Sequence, residues 1–419
     1  MDPSPVIGMF ARPSDREPVQ AGVAEVRSAA AVGASGAPSA TCALAMTGLW
    51  IRGGSVDVIV DGSRITAIGP PDGHRARQVV DATGCSVLPG FIDLQVNGAV
   101  GVDLTSQPER IGEVAAFLVQ CGVTSFMPTV ISSSAADTAD AIAALTAWSG
   151  EGAHSLGVHL EGPFLNPQRA GAHPMHLLRP PSTAEAQAWG SATGIAMVTI
   201  APELPHALNV IEQLVANGVV VCAGHTAAGP AEMTSAVSAG VRGVTHLFNA
   251  MGPMTARVPG PAAATLTGSE LIAGLIVDGL HVDPLMVRLA WQILGPDRVA
   301  LVTDAIAALG LAQGEYSVGE THVVVDDRGA RTHEEVLAGS VLRFDDAVRN
   351  LMAFTGCGLA EASRAASSTP ARLAQRPDVG RLDPGCVADI VVLDGDHQVV
   401  ATVARGRVVF DPQRRCMRH

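Results

Sequence analysis

Four ionisable residues in this 419-residue chain each close a short apolar run. Glu161 follows Ser-Leu-Gly-Val-His-Leu and His225 follows Gly-Val-Val-Val-Cys-Ala-Gly. His246 follows Val-Arg-Gly-Val-Thr and Asp304 follows Arg-Val-Ala-Leu-Val-Thr. Two imidazoles and a carboxylate make a common ligand set for a divalent metal, and a further carboxylate can move protons beside it. Each residue alone has a plainer reading. Glu161 could be a solvated loop acid, either His a residue satisfied by its own turn, and Asp304 the cap of a following helix. That all would stand by accident at the ends of separate apolar runs is the weaker account.

The runs are rich in β-branched residues and scarcely alternate, as expected of parallel strands buried on both faces. Helical stretches separate the runs, roughly at 108–121, 134–148, 206–217, 230–239, 283–293 and 345–356. The pattern predicts an α/β chain whose residues 93–377 form a (β/α)8 TIM-like barrel, with chemistry at the C-terminal ends of its strands. Before it, Val56, Val58 and Val60 alternate with Ser55 and Asp57, and Asp61-Gly62 makes a tight turn. Short strands return at 388–395 and 399–410. Neither end has enough strands to bury a face alone, so 46–92 and 378–412 are expected to pair into one small β-sandwich. Residues 1–45, rich in Ala, Ser, Pro and Gly, read as a flexible extension with Met46 a candidate first residue, and 413–419 as a tail.

Composition excludes several classes. The chain is 47% hydrophobic and 16% charged, as in a globular protein. A net charge of −13 argues against nucleic-acid and anionic-membrane partners, so an anionic substrate needs a local basic pocket. Lysine is absent, which removes Schiff-base chemistry, a Walker-type phosphate loop and a carboxylated lysine between two metals. The seven cysteines are scattered without a Cys-x-x-Cys pair, which fits reduced thiols in a cytoplasm. No apolar run is long enough to span a bilayer, and the N-terminus lacks the pattern of a secretory signal.

Other residues cluster near the four. His173 stands in a polar loop, Gln168-Arg-Ala-Gly-Ala-His-Pro, that could fold over them. Asn249, Ala250 and Arg257 follow His246. His281 closes Asp278-Gly-Leu-His, and Leu337-Ala-Gly-Ser340 is a small-residue loop. Forked arginine donors and backbone amides in such turns suit phosphate and sugar. Gln95 and Asn97 are poor ligands for Zn²⁺ beside imidazole. A plainer reading has both amides bonded to the local backbone.

These motifs, with Pro-Gly-Phe-Ile-Asp-Leu-Gln-Val-Asn-Gly (89–98), His-Leu-Glu-Gly-Pro-Phe-Leu-Asn (159–166) and Leu-Val-Thr-Asp-Ala (301–305), resemble the amidohydrolase superfamily. The resemblance runs from about 47 to 412, and is to the branch that deacetylates N-acetyl-D-glucosamine 6-phosphate in amino-sugar catabolism and cell-wall sugar recycling. It implies one divalent metal per chain, Zn²⁺ or else Fe²⁺, on Glu161, His225 and His246, with Asp304 as catalytic acid/base. Two-metal relatives carry His-x-His where this chain has Gln95 and Asn97. Ala172 and His173 would contact substrate. Asn249, Ala250, Arg257 and His281 would bind phosphate and sugar, lined by Leu337, Ala338 and Gly339. It implies a homodimer or dimer of dimers, in which Arg257 reaches the neighbouring subunit. The alternatives are the galacto epimer as substrate, another amidohydrolase reaction, and a non-catalytic scaffold.

Overall fold

The structure, a computed structural model, describes residues 47–52, 57–69 and 76–418. The expected 1–45 extension lies outside the described residues. Eight parallel strands form a ring: β1 (Phe91–Val96), β2 (Val123–Ile131), β3 (Val158–Glu161), β4 (Ile195–Ile200), β5 (Val220–Ala223), β6 (Gly243–Val244), β7 (Ile272–Leu275) and β8 (Val299–Leu301). Neighbours pair in that order from β1 to β8. Every residue of β2, β3 and β5 is buried, which explains the lack of alternation in the sequence.

The ring closes just beyond β8. Asp304 N donates to Gln95 O at 3.0 Å, and Asn97 N donates to Ala305 O at 2.8 Å. One turn deeper the same seam is riveted by side chains. Thr303 Oγ1 donates to Asp93 Oδ2 at 2.5 Å and Thr303 N to Asp93 Oδ1 at 3.2 Å. Burial pushes Asp93 up to about 7, against the opposing pull of these bonds.

The outer helices appear where the sequence placed them, including Ala135–Ala147, Ala207–Ala216, Pro230–Ala239, Pro284–Leu294 and Phe344–Thr355. Local signals start them. Ser134 Oγ accepts from Asp137 N, and Asp283 caps a helix whose first residue is Pro284. The helices Gly260–Thr267, Leu359–Ala366 and Ser368–Leu373 were not anticipated.

The two chain ends form two facing sheets. Five strands build one, Thr47–Arg52, Asp57–Asp61, Arg64–Gly69, Ala76–Asp81 and, from the far end of the chain, Cys416–Arg418; Ser86–Pro89 joins Ile390–Leu393, Val399–Ala404 and Arg407–Phe410 in the other. Val58, Val60, Ile65 and Val80 meet Ile390, Val392, Val400 and Val403 in a shared core. Asp57 is buried together with Val58, Ile59 and Val60. One reading needs correcting. The expected tail contains a strand, Cys416–Arg418, on the edge of Ala76–Asp81. Asp411 turns the chain back by accepting from the backbone N–H groups of Arg415 and Cys416 at 2.8 Å each. A further antiparallel sheet, Gly314–Val318, Thr321–Asp326 and Gly329–Arg331, is inserted after β8 and was not expected. Val318 and Val325 pack it onto Ile131 and Ile306 at the barrel mouth.

The seam rivet is open to test. Thr303→Val removes the hydroxyl from a buried carboxyl and should lower unfolding stability by about 1–3 kcal/mol. A urea midpoint equal to wild type at unchanged slope would show that the rivet does not stabilise the fold.

Candidate active site

All four chemical residues stand at the C-terminal rim. Glu161 ends β3, and His225, His246 and Asp304 fall two or three residues beyond β5, β6 and β8. Three of them hold left-handed backbone: φ is 48° at His225, 30° at His246 and 52° at Asp304. Such conformations cost on the order of 1–3 kcal/mol each and persist only where the surroundings enforce them. The crowding is visible at Gly224, where an added Cβ would lie 2.6 Å from Thr199 Cγ2 and 2.8 Å from Thr245 Cβ. Asp304 caps no helix, since none follows it directly.

Glu161 Oε1 lies 3.2 Å from His225 Nε2 and 3.0 Å from His246 Nε2, and the two ring nitrogens are 3.1 Å apart. All three residues are buried. His225 Nδ1 lies 2.8 Å from the Arg169 carbonyl, which can only accept. Neutral His225 therefore carries its proton on Nδ1 and presents a bare Nε2 lone pair to a carboxylate oxygen. Two acceptors at that distance repel unless a proton or a metal cation stands between them; a shared proton favours the charged carboxylate as a metal ion would. Chemistry and orientation thus fit a divalent metal ion held by Glu161, His225 and His246, with the Arg169 carbonyl fixing one imidazole.

Asp304 faces this cluster from the other side of the rim. Its Oδ1 accepts from Gln95 Nε2 at 3.0 Å and Asn97 Nδ2 at 2.7 Å. Gln95 Nε2 also donates to Glu161 Oε1 at 2.9 Å. The two amides therefore bond the carboxylates of Glu161 and Asp304, and the plainer reading of local backbone partners does not hold. Burial, with the charge of Glu161 adding to it, pushes Asp304 up to about 6. Burial would raise Glu161 as well, but the surrounding imidazoles outweigh it and hold it well below the usual carboxylate range.

His173 completes the rim. Ser132 N donates to its Nδ1 at 3.3 Å, so the neutral ring carries its proton on Nε2, 3.6 Å from Glu161 Oε2. Burial favours that neutral form by pulling its pKa down.

A cavity of about 210 Å³ opens above these groups. It is lined by Glu161, His225, His246, Asp304, Ala172, His173, Asn249, Ala250, His281, Leu337, Ala338 and Gly339, all named from the sequence. Asn97, Ile131, Val318 and Val336 line it too. Arg257 does not. It is exposed on the loop after His246, and no arginine lines the cavity among the described residues.

Sequence reasoning passed over the partners that orient these groups. Ser132 fixes His173, and Asp278 Oδ2 accepts from His281 Nδ1 at 2.7 Å. His159 lies beneath Glu161, with Nδ1 on Leu94 O at 3.1 Å and Nε2 on Thr199 Oγ1 at 2.8 Å. Its place two residues before Glu161 on one strand was the available signal, because such residues share a face.

Known proteins share this layout. Residues 86–410 match the model of the Amidohydrolase family. The chain belongs to the amidohydrolase family. This amidohydrolase is 37% identical over 388 residues to N-acetylglucosamine-6-phosphate deacetylase of Bos taurus, covering 88% of this chain and 92% of that one. It is 33% identical over 334 residues to the Bacillus subtilis (strain 168) protein of the same name, covering 77% and 84%. Among solved structures, a mutant N-acetyl-D-glucosamine-6-phosphate deacetylase from Mycobacterium smegmatis, in complex with N-acetyl-D-glucosamine-6-phosphate, superposes with a TM-score of 0.80. The two are 33% identical, over 86% of this chain and 98% of that one. No helix of the described residues is long and apolar enough to cross a membrane.

Ligand binding to the folded state alone raises stability, by about 2.7 kcal/mol at one hundred times Kd. Zn²⁺ added to metal-stripped protein should therefore raise Tm, and Glu161→Gln should abolish most of the rise. An equal rise in that variant would place the ion elsewhere.

Proposed function

We propose that this amidohydrolase hydrolyses the acetamide of N-acetyl-D-glucosamine 6-phosphate to D-glucosamine 6-phosphate and acetate. The observation that carries the reading is the convergence of Glu161, His225, His246 and Asp304 on one rim cavity, in a chain whose relatives carry that activity in their names. Glu161, His225 and His246 would hold one divalent ion per chain, Zn²⁺ in preference to Fe²⁺. When bound, the ion supplies Lewis acidity, bringing the pKa of water down toward ~7.

The chain's own groups move the protons. Asp304 takes one from the attacking water as the water oxygen adds to the acetyl carbon. Nε2–H of His173 donates to the oxygen on which charge develops. Asp304 then delivers its proton to the nitrogen, the C–N bond breaks, and amine and acetate leave. Neutral His173 suits a donor, and the raised pKa of Asp304 suits a group that must both accept and release a proton.

Asn249, Ala250, His281 and the turn Leu337–Gly339 would hold sugar and phosphate. The cavity of one chain carries two carboxylates and no arginine, so a phosphate needs positive charge from outside it. Arg257 is exposed on a loop whose Met254 and Val258 are exposed as well, which suits a contact with a second copy. We therefore assign Arg257 to the partner's cavity in a homodimer or dimer of dimers. Cys85, Cys121, Cys222, Cys357 and Cys386 are free thiols, which supports a cytoplasmic location.

Acetate release from N-acetylhexosamines, each with and without 6-phosphate, tests the substrate. The gluco 6-phosphate should react fastest; preference for the galacto epimer or for free sugars would overturn the assignment. Asp304→Asn should lower kcat by ~10²–10⁴-fold with metal content retained. Near-normal turnover would remove Asp304 from the chemistry.

Losing a charge-assisted bond to phosphate costs ~1.5–3 kcal/mol, so Arg257→Ala should lower kcat/KM for the phosphorylated sugar by roughly 10- to 150-fold. The free sugar should scarcely change. Hybrids of Arg257→Ala and Asp304→Asn chains should regain activity, because one of their two sites has both residues intact. Verified hybrids that stay inactive would place Arg257 on its own chain or away from phosphate.

A further inference from the structure

We propose that Gln95 and Asn97 form an amide clamp that positions Asp304 for proton transfer, a role resting on the acid/base reading of Asp304 given above. Both side chains are buried at the end of β1. Both NH₂ groups donate to the same atom, Asp304 Oδ1, at 3.0 and 2.7 Å. A carboxylate oxygen only accepts, so the orientation of the Asn97 amide is fixed: the flipped amide would set oxygen against oxygen. That leaves Asn97 Oδ1 buried beside the cavity without a hydrogen-bond partner among the described residues.

The terminal torsion of Asp is soft and nearly two-fold, so a carboxylate on a strained turn does not hold one orientation unaided. Two donors on Oδ1 do hold it. They saturate one oxygen and leave Oδ2 as the atom that exchanges protons. The backbone of Asp304 is tied to the same segment through Gln95 O, so side chain and main chain are registered by one strand end.

Gln95 adds a second effect. Its Nε2 has two hydrogens, one for Asp304 Oδ1 and one for Glu161 Oε1. A neutral amide thereby links two carboxylates that repel. A cation between them would do this more strongly, and would also compete with Asp304 for its lone pairs. The amide pair orients the carboxylate while leaving it basic.

Isosteric variants separate the clamp from packing. Asn97→Asp keeps the shape and removes the donor, whereas Asn97→Ala removes both. The clamp predicts that each lowers kcat by roughly 10- to 150-fold, the range for a lost hydrogen bond to a charged group. KM should stay within about threefold, since the lost contact is not to substrate. Metal content should equal wild type. Asn97→Asp should be at least as damaging as Asn97→Ala. Gln95→Met, close in size and without a donor, should follow the same pattern.

In an Asp304→Asn background, Asn97→Ala should cost almost nothing more, because a residue that acts through Asp304 has nothing left to position. Near-normal kcat in Asn97→Asp beside a damaged Asn97→Ala would reduce the residue to packing. Additive losses with Asp304→Asn, or loss of metal, would also overturn the clamp. Failure of wild type to release acetate from any sugar would instead sink the functional reading, independently of these comparisons.

Discussion

Two carboxylates lie close together in the mouth of this barrel, and the surrounding structure is arranged around their repulsion. One amide nitrogen touches both, so Glu161 Oε1 and Asp304 Oδ1 lie within about 6 Å of each other, where like unit charges repel by roughly 3 kcal/mol at an effective dielectric of 20. Burial adds the cost of desolvating each charge. The two acids are relieved in different ways. Glu161 is ringed by three imidazoles and drops well below its usual range, while Asp304 has only amide donors and rises to about 6. Two acids of similar chemistry are thereby divided into one that stays charged and one that can change protonation near neutrality.

That division depends on where the fold lets each residue emerge. Glu161 is still within β3, whereas His225, His246 and Asp304 emerge on turns with positive φ. Those turns bring His225, His246 and Asp304 to the cavity that Glu161 reaches from its strand. The strain is tolerable because the backbone on either side is over-determined. Asp304 N is bonded to β1 and Asp304 O receives Ser340 N, while Leu247 N, next to His246, is bonded to Gly274 on β7. The Asp93–Thr303 rivet lies directly below, so the seam that closes the barrel also fixes the backbone that carries Asp304.

The barrel and its reacting groups could be read from the sequence because both leave one-dimensional marks. An apolar β-branched run ending in His, Glu or Asp is costly unless the polar group has a purpose at the rim, and four such runs were present. The sandwich was legible for the same reason, as short alternating strands at both ends. Partners that act through space left no such mark. Ser132, Asp278 and the Arg169 carbonyl touch His173, His281 and His225 through contacts only the folded chain creates. Gln95 and Asn97 were singled out, but their partners lie more than two hundred residues away at Asp304. The inserted sheet 314–331 was missed although Val318, Val323 and Val325 form a buried face, because Gly, Asp and Arg break its strands into very short pieces.

Charge supplies the remaining constraint. The chain carries −13 overall and all its fixed positive charge on arginine, whose planar fork suits phosphate better than a lysine point charge. The proposed chemistry needs such a fork kept away from Glu161 and Asp304, since an arginine paired to either would cancel its charge or lock it in the charged form. Among the described residues of one chain no arginine lines the cavity, and Arg257 stands on an exposed loop outside it. A substrate phosphate at the far end of the sugar is the group that can meet an arginine without bringing it to the acids. In the proposed reaction, binding and chemistry would use opposite ends of the same molecule, and the positive charge that attracts the substrate would not disturb the proton balance that cleaves it.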